Sequence, residues 1–229
     1  MADTDQVHLW HIDLDGPSAG PEAALGPAES ARLACYTHAS ARARHTAAHG
    51  ALRGLLGHAL GLAPAEVPIR RGPLGKPELA GSDRSLCFSL AHARGHALVA
   101  LATGRAVGVD LDHVRPGFPL EAFVRRYFPA PEQDLLLARP PDERPLAFVE
   151  LWTRKEALVK AAGARMALGV GQEVGPPGVT SVVRANRPPL RGTWTVRNVP
   201  SPPGGAAAVA LAGGRPYRVV VHDWATEAP

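Results

Sequence analysis

Hydrophobic and polar residues alternate over Gln6 to Leu14, with Val7, Leu9, Ile12 and Leu14 apolar, and this predicts a first strand. A Gly/Pro-rich link from Gly16 to Pro27 follows. Glu29 to Tyr36 then reads as a short helix and Ala39 to Leu60 as a longer one. Leu52, Leu55, Leu56 and Leu60 lie on one side of the longer helix; Arg42, Arg44, His45, His49 and Arg53 lie on or near the other. Leu86 to Leu101 reads as two strands meeting at Ala93-Arg94-Gly95-His96, and the turn Thr103-Gly104-Arg105 feeds a third. Helical periods return over Phe118 to Phe128, Pro131 to Ala138 and Asp142 to Ala162. The last of these should start at an Asp142 N-cap and stop at Gly163. Short β-like runs close the chain at Ser181 to Arg184, Thr193 to Asn198, Ala206 to Leu211 and Tyr217 to Asp223.

The 229 residues suit one large domain or two halves, and strands plus a long helix occur in each half. Aromatic residues make up only 5%, so the core must rest on Leu, Val and Ala. A net charge of +4 favours anionic partners. There is no Lys/Arg run, zinc-finger spacing or aromatic RNA-binding motif, which argues against nucleic acid. Cys35 and Cys87 lack metal or redox spacing and are expected to be free, buried thiols. With no basic start before an apolar run and no eighteen-residue apolar stretch, a soluble cytoplasmic chain is expected.

The candidate chemistry lies between Val107 and Lys160. Val107-Gly108-Val109-Asp110-Leu111-Asp112 reads as a strand end, and side chains at i and i+2 share a strand face, so Asp110 and Asp112 stand side by side. Two adjacent carboxylates repel unless a cation sits between them. In the long helix, Ala147, Phe148, Leu151, Leu158 and Ala162 form an apolar face, and Trp152, Glu156 and Lys160 form a stripe beside it. Lys155 falls within the apolar face, where it must snorkel out or meet an anion. Singly, each feature also has an ordinary reading, such as a solvated hairpin mouth or a surface Glu–Lys pair. Three carboxylates and a lysine together can hold a hard divalent cation and a phosphate.

Val107 to Asp112 and Trp152 to Lys160 fill every signature position of a (V/I)-G-(V/I)-D-(V/I)-(E/D) block and a W-(T/S)-x-K-E-(A/S)-x-x-K block some forty residues later. The chain thereby resembles the 4′-phosphopantetheinyl transferases of the surfactin-synthetase-activating type. The resemblance implies an α+β fold of two similar subdomains related by pseudo-twofold symmetry, 1–113 and 114–229, each a small antiparallel-type sheet on a long helix. It implies transfer of 4′-phosphopantetheine from coenzyme A to a serine of an apo acyl or peptidyl carrier protein, releasing 3′,5′-ADP. Mg²⁺, or Mn²⁺, would sit on Asp110, Asp112 and Glu156, with Glu156, Lys160 and Asp110 carrying catalysis.

Coenzyme A would be held by Arg44, Arg53, Lys76, His92, Lys155 and Lys160. Arg44 and Arg53 match the family's spaced arginines, and Gly75-Lys76-Pro77 matches its G-K-P turn. Phe88-Ser89-Leu90-Ala91-His92-Ala93 stands where the family has F-N-x-S-H-S, keeping the histidine but losing the asparagine and both serines. Gly163-Ala164-Arg165-Met166 replaces the usual G-x-G-(L/M). Arg125 and Arg126 are candidates for receiving an acidic carrier helix. The resemblance also implies a monomer with no membrane or nucleic-acid partner. The alternatives are a metal-dependent nucleotide phosphohydrolase using the same acids and a non-catalytic module binding coenzyme A or a carrier.

Overall fold

The computed structural model describes residues 4–16, 22–81 and 85–229; residues 17–21 of the predicted Gly/Pro-rich link lie outside them. Strand β1 (Gln6–Asp13), helices α1 (Pro27–Leu33) and α2 (Ala39–Leu60), and the short hairpin β2 (Ile69–Arg71) and β3 (Pro77–Leu79) come first. Strands β4 (Leu86–Ala93), β5 (His96–Thr103) and β6 (Val107–His113) follow, then helices α3 (Leu120–Tyr127), α4 (Ala130–Leu137) and α5 (Arg144–Ala161). Strands β7 (Ser181–Ala185), β8 (Gly192–Val199), β9 (Gly205–Ala212) and β10 (Arg218–Asp223) and a short α6 (Trp224–Glu227) complete the chain. The mixed α+β class follows.

Residue alternation decides what each strand face meets. In the sheet ordered β10-β1-β5-β4, Ile12, Phe88, Val99 and Leu101 pack with Leu52, Leu55 and Leu56 of α2. The opposite face, with Val7, Leu9, Leu98 and Ala100, packs against Val107, Val109, Leu111 and Val209 of the second sheet, ordered β6-β9-β8-β7. The outer face of that second sheet meets α5: Leu151 and Leu158 share a core with Val196, Ala208 and Ala210. The layers therefore run helix, sheet, sheet, helix, and apolar residues fill both faces of the inner strands.

Strand pairing crosses the expected cut at His113. β6 lies before that cut yet pairs antiparallel with β9, while β10 returns from the end of the chain to lie parallel to β1. The C-terminal run, which the expected cut assigns to 114–229, is thus part of the first sheet. Periodicity defines strands but carries no information about which edge a strand will join. Helix α5 starts at Arg144 rather than from an Asp142 cap, because the Pro140 carbonyl accepts from the Glu143 and Arg144 amides and forms a turn there; no side-chain cap is made. Gly163, with φ of +64°, follows the helix end as expected. Cys87 is half-buried but Cys35 is exposed, so the expectation that both thiols are buried fails for Cys35.

With Val107, Val109 and Leu111 turned inward, Gly108, Asp110 and Asp112 face α5. A Cβ on Gly108 would collide with the Ala157 carbonyl and the Ala161 nitrogen. Glycine is therefore what lets the helix lie directly on the strand. The buried Ser89 hydroxyl accepts from the Val109 amide at 3.1 Å and ties β4 to β6. Gly108→Ala should lower stability by about 1–3 kcal/mol through overpacking, read as a reduced urea midpoint with an unchanged slope; an unchanged midpoint would contradict this packing.

Candidate active site

Strand β6 and helix α5 bring their polar stripes together in one cavity of about 550 Å³. Asp110, Asp112, Trp152, Glu156 and Lys160 line it with His92, Arg94, His113 and Arg115. Asp110 is 7% exposed, and its Oδ1 accepts from Lys160 Nζ at 2.7 Å. Asp112 Oδ1 accepts from the His113 amide at 2.8 Å and Oδ2 from Arg115 Nη2 at 2.8 Å. Burial pushes the Asp110 carboxyl up, against the pull of Lys160. Burial also raises Glu156, reinforced by Asp110 and Asp112 and opposed by Lys160, to about 6. The cavity thus gathers three carboxylates, Asp110, Asp112 and Glu156, with three cations, Lys160, Arg94 and Arg115. No three of the described His, Cys, Asp or Glu side chains already converge as a metal-binding group.

A second space of about 620 Å³ adjoins this cavity and shares His92 and Lys160 with it. Its walls are basic and imidazole-rich: Arg32, Arg70, Arg71, Lys76, His45 and His49. Tyr36 and His45 Nδ1 are 3.2 Å apart, and the His45 and His49 ring centroids 4.1 Å. Burial, with His45 next, lowers His49 to about 4. Burial lowers His92, helped by the positive charge of Lys160 and Arg32. A third space of about 310 Å³ continues from Asp112, Arg115 and Trp152 and is walled by Phe118, Phe123 and Phe148.

The predicted site residues thus divide. Asp110, Asp112, Glu156 and Lys160 converge, and His92 joins them from β4. Lys76 lines the basic groove, but its ammonium is turned to the Val107 and Ala161 carbonyls, at 3.0 and 3.1 Å, and burial lowers its pKa. The other three expected cofactor contacts lie elsewhere. Lys155 is 0% exposed, 2.5 Å from Glu132 Oε2 and 4.6 Å from the Phe128 ring centre, and donates to the Gln172 carbonyl. Its place in the apolar face did require an anion, but Glu132 of α4 supplies it. Arg53 is buried, pairs with Glu29 at 3.1 Å, and donates to the Pro64, Ala65 and Val67 carbonyls. Arg44 is engaged by Asp15 through two bonds of 2.8 and 2.7 Å. Reading missed Arg32, Arg70, Arg71, Arg94 and Arg115. They sit in turns and short elements, where no periodicity says which way a side chain faces.

The family model described as the 4′-phosphopantetheinyl transferase superfamily matches residues 106–196, which span the acid cavity. The 4′-phosphopantetheinyl transferase HetI of Nostoc is 37% identical over 165 residues, covering 70% of each chain.

The chain belongs to the 4′-phosphopantetheinyl transferase superfamily.

The 4′-phosphopantetheinyl transferase of Bacillus subtilis is 28% identical over 167 residues, 71% of this chain and 73% of that one. The transferase AcpT of Escherichia coli is 33% identical over 111 residues, 48% of this chain and 55% of its own. Among the described residues of this transferase, no helix is long and apolar enough to cross a membrane.

Two outcomes follow from the electrostatics. The folded state holds the Glu156 proton to about pH 6, against 4.5 for a free glutamate, so ionising Glu156 costs nothing below about pH 4.5 and its full stability cost is present above pH 6. Glu156→Gln should be more stable than the parent at pH 7.5, by at most about 2 kcal/mol, and the gain should vanish near pH 4.5 in urea titrations. Lys155→Met should destabilise by about 3–5 kcal/mol by leaving Glu132 buried and unpaired, and Lys155→Met with Glu132→Gln should recover much of that.

Proposed function

We propose that this chain transfers 4′-phosphopantetheine from coenzyme A to a serine of an apo acyl or peptidyl carrier protein, using Mg²⁺ (or Mn²⁺) and releasing 3′,5′-ADP. The observation that carries the reading is the junction of three carboxylates and Lys160 with a basic groove, through the shared walls His92 and Lys160. The donor set fits a hard cation. Asp110, Asp112 and Glu156 offer oxygen ligands in one cavity, with the Glu156 carboxyl raised by burial and the two aspartates, and magnesium takes oxygen ligands and keeps several waters. When bound, the cation would neutralise charge on the diphosphate of coenzyme A as its P–O–P bond breaks and so favour departure of 3′,5′-ADP.

The chain's own residues supply the rest. Lys160 stands beside Asp110 and faces both spaces, so its ammonium can meet a phosphate oxygen at their junction. Arg32, Arg70 and Arg71 offer the groove positive charge for a phosphorylated nucleotide. Glu156 removes the proton of the attacking serine hydroxyl, directly or through a water. A carboxylate that ionises near pH 6 is a stronger base than a free one and is charged at neutral pH. No enzyme nucleophile is required. The aromatic space beside Asp112 opens toward α3, whose Arg125 and Arg126 are exposed and suited to an acidic carrier helix. A nucleotide phosphohydrolase would have no use for that adjoining surface, and a pure binding module would have no use for the paired acids.

Incubation with coenzyme A, Mg²⁺ and a panel of apo carriers should add the mass of one phosphopantetheine to a carrier, and chelation should abolish the gain. Glu156→Ala should fold and lose transfer by about 10²-fold or more. Phosphate release from nucleotides without any carrier modification would contradict the reading.

A further inference from the structure

The two strand carboxylates are neutralised from within the chain, but by cations of different character. Lys160 projects from a helix turn packed on β6, and its partner Asp110 is buried. Arg115 projects from the connector after β6, its side chain is 68% exposed, and it reaches Asp112 Oδ2 at 2.8 Å. Arg94 stands at the same mouth, donating to the Val114 carbonyl at 3.3 Å from a backbone with φ of +54°, a conformation non-glycine residues seldom adopt. Two guanidinium groups therefore border the cavity where it opens, and only Arg115 occupies a carboxylate.

Charge balance shows what that contact can do. With all three acids ionised, Lys160 and Arg115, the cations in contact with them, leave one negative charge that Arg94 at the mouth cancels; a dication entering beside all three would leave two positive charges. If Arg115 leaves Asp112, that excess falls to one, and its guanidinium is free for the anion that arrives with the metal. The same planar fork that holds a carboxylate also matches a phosphate. An exposed pair of this kind is weak enough to exchange.

We propose that Arg115, paired with Asp112 at the rim of the acid cavity, is an exchangeable counter-ion. It holds that carboxylate until a divalent cation takes it, and then turns to a diphosphate anion bound beside the cation. The inference rests on the reading of the cavity as the divalent-cation and coenzyme A site. It assigns Arg115 two opposed effects. Arg115 competes with the metal for Asp112 and it strengthens binding of the diphosphate once the metal is present. A merely structural arginine, anchoring the connector after β6, would weaken both together when removed.

The test uses the full chain and measures binding rather than turnover. Mn²⁺ is titrated alone by electron paramagnetic resonance, and coenzyme A is then titrated by calorimetry at saturating Mn²⁺. Arg115→Ala should bind Mn²⁺ about two- to five-fold tighter than the parent. It should bind coenzyme A about tenfold or more weakly. Arg115→Lys, which keeps the charge and loses the fork, should show a smaller gain for Mn²⁺ and recover part of the coenzyme A affinity. Unchanged or weaker Mn²⁺ binding by Arg115→Ala would overturn the inference and leave the reading of the site intact, provided the parent binds both ligands. An equal gain for Mn²⁺ from Arg126→Ala, on the exposed face of α3, would also overturn it, since a general field would then explain the effect. A parent chain that binds neither Mn²⁺ nor coenzyme A would overturn the site reading and the inference with it.

Discussion

The direct contact of α5 with β6 over Gly108 is the constraint on which the rest depends. A strand and a helix meet here without a side chain between them, because a Cβ on Gly108 would occupy the space of the Ala157 carbonyl and the Ala161 nitrogen. Once that contact is made, the two periods do the rest. The strand period of two sets Asp110 and Asp112 on the side of the helix, and the helical period brings Glu156 and Lys160 alongside. The inward strand residues Val107, Val109 and Leu111 are held in the core between the two sheets, so the register cannot slip by one residue without burying the acids.

That geometry concentrates charge in a place where burial makes charge costly. The raised carboxyls of Asp110 and Glu156 are the consequence of burial and of repulsion among the acids. The first sheet completes the arrangement from the other side. His92 comes from β4, Lys76 clamps the hairpin onto the end of α5 and the start of β6, and the Ser89 hydroxyl closes the seam. The basic groove and the acid cavity consequently meet at a junction built from both sheets. The residues that the family model matches, 106–196, include Asp110, Asp112, Glu156 and Lys160 of that junction.

Much of this could be read from the sequence, and the exceptions share a cause. Helices and strands with a strong period were placed within a few residues, as with α2 over Ala39–Leu60 and the β4–β5 hairpin. The stripe Trp152, Glu156 and Lys160 and the pair Asp110 and Asp112 were legible because each lies on one regular element. Lys155, Arg53 and Arg44 line neither the acid cavity nor the basic groove, and each meets a nearer acid, here Glu132, Glu29 and Asp15. Those acids lie on other elements and only the tertiary fold brings them close. The same reason hid the return of β10 to β1 and the arginines that line the cavity from turns.

On the proposed function, Asp110, Asp112 and Glu156 share one divalent cation at the junction of the two spaces. Anomalous scattering from a crystal of the protein grown with Mn²⁺ and coenzyme A tests it most directly. The account predicts one strong manganese peak bonded to oxygens of all three carboxylates and to the diphosphate, with Lys160 beside it. A manganese peak elsewhere, or bound coenzyme A with the three acids carrying no metal, would contradict it.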